Sequence, residues 1–189
     1  MARRARKPKR PELRRVFLGC EGEGERSYGA WLQAIARDLR LHITIDTYPD
    51  IGGGGDPLDI VRGCISEMRR RESLYGKYPH RAVLLDSDRI GDDPDRDRRA
   101  TDLAAEYGVH LIWQEFEHEA FLLRHLPGHE NLRPPKGEGR EILNEVWPEY
   151  RRRQAKITLY EKLKLDDLRR ACTAEPTLRT FLTELGFPV

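Results

Sequence analysis

Acidic residues directly follow three short apolar segments of this chain, residues 14–20, 81–85 and 109–114. These acids are Glu21, Glu23 and Glu25 after the first segment, Asp86 and Asp88 after the second, and Glu115, Glu117 and Glu119 after the third. If the segments are parallel strands, their carboxyl ends lie at one edge of a sheet, and the carboxylates repel one another unless something neutralises them. Mg²⁺ and Mn²⁺ prefer such oxygen ligands. The pattern therefore predicts a divalent-metal site.

The spacing within these groups also suits shared ligation. Asp86 and Asp88 are two apart, so within a strand their side chains point to the same side. Glu21 and Glu25 are four apart across a glycine turn that leads into a helix, so both can reach one site. Two metals about 4 Å apart would clamp the attacking and leaving oxygens of a phosphodiester. The alternative is that these acids are solvated turn and helix-capping residues.

The elements that position these acids follow from the apolar pattern. Strand-forming segments alternate with helical periodicity over the first two-thirds of the chain, and helical patterns alone finish it. We expect strands at 14–20, 41–48, 81–85 and 109–114, and helices at 27–39, 57–75, 95–107, 116–126, 140–153, 164–172 and 176–185. This order predicts an α/β fold: a mostly parallel four-stranded sheet flanked by helices, with a helical C-terminal segment. Functional residues of such sheets gather at the carboxyl ends of strands.

The length of 189 residues is typical of one domain. We divide it into a flexible basic arm at 1–12, an α/β core at 13–126 and a helical extension of the same domain at 127–189. Residues 1–15 hold eight Arg or Lys against Glu12 alone, although the net charge of the chain is only +2. Such an arm suits contact with a phosphate backbone. It can equally be a solvated start of the chain.

Several classes of protein are excluded by composition. No apolar run approaches the roughly 20 residues that span a bilayer, and no signal peptide is visible. Cys20, Cys64 and Cys172 fit neither a disulfide framework nor a zinc cluster, so a cytoplasmic location is expected. The glycine run Gly52–Gly55 lacks the Lys-Ser/Thr of a P-loop, which argues against ATP binding there.

Three stretches resemble motifs of TOPRIM-like proteins. Residues 21–28 (EGEGERSY) resemble the first motif, in which a strand ends in Glu-Gly before an acid and an aromatic residue. Residues 84–88 (LLDSD) resemble the Asp-x-Asp motif, and residues 116–125 (FEHEAFLLRH) resemble the Phe-Glu-x-Trp-Leu-Leu-x-His segment of RloB-like members. The resemblance covers residues 14–126 well and the C-terminal helices loosely. Two departures are Gly24, where Thr or Ser is frequent, and the missing Trp after Phe-Glu.

The resemblance implies a TOPRIM fold and a Mg²⁺- or Mn²⁺-dependent nuclease like OLD-family enzymes. It also implies a role in bacterial antiphage defence beside an ABC- or AAA-type ATPase. By motif match, the metal ligands are Glu21, Glu25, Asp86, Asp88 and Glu117. Glu21, Asp86 and Asp88 would hold one ion, and Glu25 and Glu117 would help to hold a second. OLD-type enzymes also use a downstream lysine, for which Lys156 is our first choice and Lys162 our second.

Other functions stay open from sequence. The same metal site serves nucleotidyl transfer in TOPRIM primases. Alternatively, the chain is a subunit that binds nucleic acid or the ATPase, with dormant or no catalytic activity. Arg151–Arg153 would grip phosphates of DNA or RNA, or they form an exposed helix face. No contact with a membrane is expected, and a homo-oligomer is left open.

Overall fold

A computed structural model describes residues 13–48, 55–151 and 155–189. Among the sequence predictions, those that fall outside the described residues concern the basic arm at 1–12, Gly52–Gly54 of the glycine run, Arg152 and Arg153, and the side chain of Lys156. The described residues form an α/β fold of four strands and eight helices, with helices alone in the C-terminal segment, as predicted.

The sheet is parallel throughout and has the strand order β2-β1-β3-β4. The strands are β1 Arg14–Cys20, β2 Ile43–Tyr48, β3 His80–Asp86 and β4 His110–Gln114. Cys20 pairs with Leu84 across β1 and β3, and Asp86 pairs with Gln114 across β3 and β4. The carboxyl ends of the two central strands, β1 and β3, and of the edge strand β4 therefore meet at one edge of the sheet, as the sequence predicted.

The helices cover both faces of this sheet. They are α1 Glu23–Asp38, α2 Pro57–Tyr75, α3 Pro94–Glu106, α4 His118–Leu123, α5 Gly139–Val146, α6 Ala155–Lys162, α7 Leu165–Ala174 and α8 Pro176–Leu185. The bounds of α2 and α8 are those predicted. Helix α1 begins at Glu23 rather than Ser27, because the backbone N–H of Gly22 donates to the Glu25 carboxylate and caps an earlier turn.

The prediction of one helix at 140–153 is wrong in extent. Helix α5 ends at Val146, since Pro148 disfavours helical backbone at Trp147 and cannot itself donate a helical hydrogen bond. A further helix, α6, which the sequence analysis did not predict, follows and packs on α1. The indole N–H of Trp31 on α1 donates to the carbonyl oxygen of Leu163, just after α6, at 3.2 Å.

Alternation along the strands builds two apolar layers. In β1, Val16, Leu18 and Cys20 face the layer of α1 and the C-terminal helices, whereas Phe17 faces the layer of α2 and α3. Leu182 of α8 is fully buried in the first layer. The C-terminal helices therefore complete the core on one face of the sheet. No helix in the described ranges is long and apolar enough to cross a membrane.

Candidate functional site

Glu21 and Asp86 lie side by side at the carboxyl edge of the sheet. Glu21 follows the last residue of β1, and Asp86 is the last residue of β3. The backbone N–H of Asp86 donates to Glu21 Oε2 at 3.0 Å, which joins the two strand ends directly. Two residues that are 65 positions apart in sequence are thus brought together by parallel strand pairing.

Glu25 reaches the same edge from the first turn of α1. Its Oε2 accepts the backbone N–H of Gly22 at 3.0 Å, and the side chain is buried, with a residue exposure of only 1%. Gly24 beside it lies against the ring of His118, because a Cβ at position 24 would stand 2.6 Å from His118 Cδ2. A larger residue at position 24 would therefore have to displace the His118 ring.

Gln114, the last residue of β4, is fully buried between two of these carboxylates. One terminal atom of its amide lies 3.0 Å from both Glu25 Oε1 and Asp86 Oδ1, and the other lies 2.8 Å from His118 Nδ1. Carboxylate oxygens accept hydrogen bonds, so the atom between Glu25 and Asp86 is the nitrogen, and the amide oxygen accepts from His118. The sequence analysis missed Gln114, whose only signal is a polar residue closing an apolar strand.

The electrostatics of the cluster centre on Asp86. Its pKa is raised to about 9, first by burial and then by the negative charges of Glu25, Glu21, Asp88 and Glu119. Burial and these charges therefore favour the protonated form of this carboxyl. The same surroundings would favour a divalent cation in place of the proton, because the cation offsets the charges that raise the pKa.

Glu119 is one of the acids whose negative charge raises the pKa of Asp86. Glu119 lies in α4 and is 4% exposed. The buried Oε1 of Glu117 lies instead against α5, where a Cβ on Gly139 would be 2.6 Å from it. The sequence does carry a signal that Glu119 is a site residue, because it is an acid within the otherwise mostly apolar run of α4.

Asp88 lies in the loop after β3, where a lysine approaches it. The ammonium group of Lys136 donates to the backbone oxygen of Asp88 and lies 4.0 Å from its Oδ2. Of the lysines chosen from sequence, the side chain of Lys156 is outside the described residues, and Lys162 lies over the ring of Trp147 at 5.9 Å. Lys136 sits in a Pro- and Gly-rich loop that no motif marks, so sequence reasoning did not find it.

The donor chemistry of this edge fits a hard divalent cation, but the side chains are not grouped as a finished chelate. In residues 13–48, 55–151 and 155–189, no three His, Cys, Asp or Glu side chains are placed to hold a metal ion as they stand. Glu21 and Asp88 are only partly buried, so their carboxylates are reached by solvent. The fit rests on ligand type and charge, because Glu21, Glu25, Asp88 and Glu119 all place negative charge near the buried carboxyl of Asp86.

Comparison with protein-family models, curated proteins and solved structures gives no match to this chain. The resemblance to TOPRIM-like proteins therefore stays a prediction from the motifs. The geometry of the carboxyl edge is the basis for assigning a function.

Proposed function

We propose that this chain is a metal-dependent nuclease that hydrolyses nucleic-acid phosphodiesters. The observation that carries the proposal is the convergence of carboxylates at the carboxyl edge of a parallel sheet. Glu21 accepts the backbone N–H of Asp86 at 3.0 Å, and one amide atom of Gln114 lies 3.0 Å from both Glu25 Oε1 and Asp86 Oδ1. Holding several carboxylates together costs stability unless a cation compensates for it. Such a cost is typical of functional sites rather than of solvated turns.

Glu21, Asp86 and Asp88 would hold one Mg²⁺ or Mn²⁺, as the motif match implies. For a second ion, Glu25 and Glu119 are better placed than the predicted Glu117, because both act electrostatically on Asp86. When bound, such ions lower the pKa of a water nucleophile and stabilise the leaving oxygen of a phosphodiester.

The remaining roles fall to residues of the chain around the carboxylates. Lys136, beside Asp88, would place its positive charge next to the phosphate oxygens that gain charge in the transition state. Arg140 and Arg151 would contact backbone phosphates, since they line one surface cavity formed by α5, which packs against α4, and by the segment after α5. As the resemblance implies, we place this activity in antiphage defence beside an ATPase partner.

The test compares the unmodified protein with Asp86→Asn on plasmid, single-stranded DNA and tRNA, each with Mg²⁺ or Mn²⁺. Asp95→Asn is the matched control, because Asp95 is an exposed helix residue paired only with Arg98 among its described contacts. We expect metal-dependent cleavage by the unmodified protein and the control, and its loss in Asp86→Asn.

Other outcomes separate the alternatives. Mn²⁺ binding without cleavage of any substrate would favour the binding subunit that awaits an ATPase. Strand synthesis from nucleotides without hydrolysis would favour nucleotidyl transfer. If the unmodified protein binds no Mn²⁺ at all, the proposed metal site is wrong.

A further inference from the structure

Gln114 makes a set of contacts that uses its whole amide group. Its nitrogen lies 3.0 Å from Glu25 Oε1 and 3.0 Å from Asp86 Oδ1, and its oxygen lies 2.8 Å from His118 Nδ1. An amide has two N–H donors, so each carboxylate receives one. Gln114, Glu25 and His118 are each no more than 1% exposed, which leaves no room for water to substitute for these contacts.

The three partners of Gln114 come from different elements. Glu25 lies in α1, Asp86 ends β3, and His118 begins α4. A buried hydrogen-bonded network of this kind fixes the relative position of the elements it joins. It also places the amide nitrogen, which carries no net charge, between the carboxyl groups of Glu25 and Asp86.

His118 is the third partner of the amide and supports the orientation that Glu25 requires. Donation to the Gln114 oxygen requires the hydrogen to be on Nδ1, and His118 Nε2 is buried with no hydrogen-bond partner among the described residues. The packing of Gly24 against the His118 ring holds that ring in place. If the amide turned over, its oxygen would face the Glu25 carboxylate oxygen, which cannot donate, so Glu25 favours the orientation in which the amide oxygen accepts from His118 Nδ1.

We infer that Gln114 is a positioning residue for the metal site, with His118 as the group that holds the oxygen side of its amide in place. This inference rests on the proposed function, because it assigns the network the task of presenting Asp86 and Glu25 to a cation. Asp86 Oδ2 lies outside the contact with Gln114 and remains for ligation. Partners that orient metal ligands typically change metal affinity about 10- to 100-fold when they are removed.

The experiment is a titration with Mn²⁺ alone, followed by electron paramagnetic resonance, on the full chain. Gln114→Met keeps most of the side-chain volume and removes all three hydrogen bonds. The control is Gln33→Met, which removes a different amide whose oxygen accepts the Ile45 N–H at 2.7 Å. We expect Gln114→Met to weaken Mn²⁺ binding at least about 10-fold and Gln33→Met to leave it unchanged.

A second pair of variants decides the matter if Gln114→Met does not fold. Asn at position 118 can offer an N–H near the place of His118 Nδ1, whereas Leu cannot. We expect His118→Asn to bind Mn²⁺ more tightly than His118→Leu, at equal folded fraction by near-ultraviolet circular dichroism. If His118 acted through packing alone, the two variants should bind Mn²⁺ with equal affinity.

The outcomes distinguish this inference from the proposed function. Unchanged Mn²⁺ affinity in Gln114→Met, or equal affinity in the two His118 variants, overturns the positioning role and leaves the nuclease proposal standing. Absence of Mn²⁺ binding by the unmodified protein overturns the proposed function and this inference with it.

Discussion

The hydroxyl of Tyr28 and Nε2 of His125 lie 2.9 Å apart in a fully buried contact. Tyr28 is on α1, one turn after Glu25, and His125 follows α4, so the contact joins the two helices that carry Glu25 and Glu119. The rings also pack edge to face at 5.4 Å. Tyr28 and His125 come from two of the stretches that resemble TOPRIM motifs. In the structure both lie in the core, where their contact joins the helices that carry site residues.

This buried histidine makes stability depend on pH. The pKa of His125 is lowered to about 3, mainly by burial, against about 6.5 in an unfolded chain. Below pH 6.5 the unfolded chain takes up a proton that the folded protein does not, so stability falls as pH decreases. From pH 7 to pH 5 this residue should account for a loss of about 2 kcal/mol in the free energy of unfolding.

Urea unfolding at several pH values, for the unmodified protein and His125→Gln, checks this prediction. Gln keeps a polar group near Nε2 without titrating. The variant should start less stable and lose less stability on acidification. Parallel pH profiles of the two proteins would show that His125 does not titrate below its ordinary range.

Gly24 should resist replacement by serine. A Cβ at this position would stand 2.6 Å from His118 Cδ2, so Gly24→Ser must displace the ring that contacts Gln114. We expect a loss of about 1 to 3 kcal/mol in the free energy of unfolding. Ala30→Ser, on the same helix at a partly exposed position, is the control. Equal denaturation midpoints for the two variants would contradict the tight contact.

The buried ion pair between Arg124 and Glu175 should matter far more than a surface pair. Arg124 is fully buried, and burial lowers its pKa although Glu175 is its partner. Glu175→Ala leaves this guanidinium without its carboxylate, which should cost about 3 to 5 kcal/mol. Asp95→Ala breaks an exposed pair with Arg98 and should cost under about 1 kcal/mol. Thermal unfolding of both variants measures the difference; similar small losses would mean that the buried charge is solvated after all.

Lys136 should affect turnover more than binding if it steadies the transition state. Removing one such group costs about 100- to 1,000-fold in kcat in comparable sites. We expect Lys136→Met to lower kcat by that order, with Mn²⁺ affinity and KM little changed. Lys164→Met is the control, since the Lys164 ammonium contacts only the Tyr160 oxygen and ring in the described structure. An undiminished kcat in Lys136→Met would exclude the role.

Arg140 should contribute to the salt dependence of nucleic-acid binding. It lines a cavity of about 310 Å³ together with Asn144, Tyr150 and Arg151. Arg140→Gln should reduce the slope of log affinity against log salt by about one phosphate contact. Fluorescence anisotropy with a non-cleavable oligonucleotide measures this slope. Arg37→Gln, at the far end of α1, is the control and should leave the slope unchanged. If the unmodified protein and both variants share one slope, Arg140 is not part of the nucleic-acid interface.

Local patterns were sufficient to predict much of the fold. Strand β1 has the bounds expected from one uninterrupted apolar run, and α2 and α8 both begin at the expected proline. Gly186, with a φ of 92°, ends α8 in a conformation that favours glycine. Because the signals for these elements lie within a few residues of each other, no distant contact was needed to find them.

The set of side chains that meet at the carboxylates could not be predicted from sequence, because it depends on contacts between distant segments. The sequence placed acids at three strand ends, but only the packing of α4 and α5 separates Glu119, which acts on Asp86, from Glu117, which faces Gly139. Gln114 and Lys136 carry no motif and acquire their roles from neighbours far along the chain. The sequence by itself determined the parallel strands and the acids that end them, since these are set by local periodicity. The tertiary structure alone decided which side chains meet, because that depends on how helices pack across the sheet.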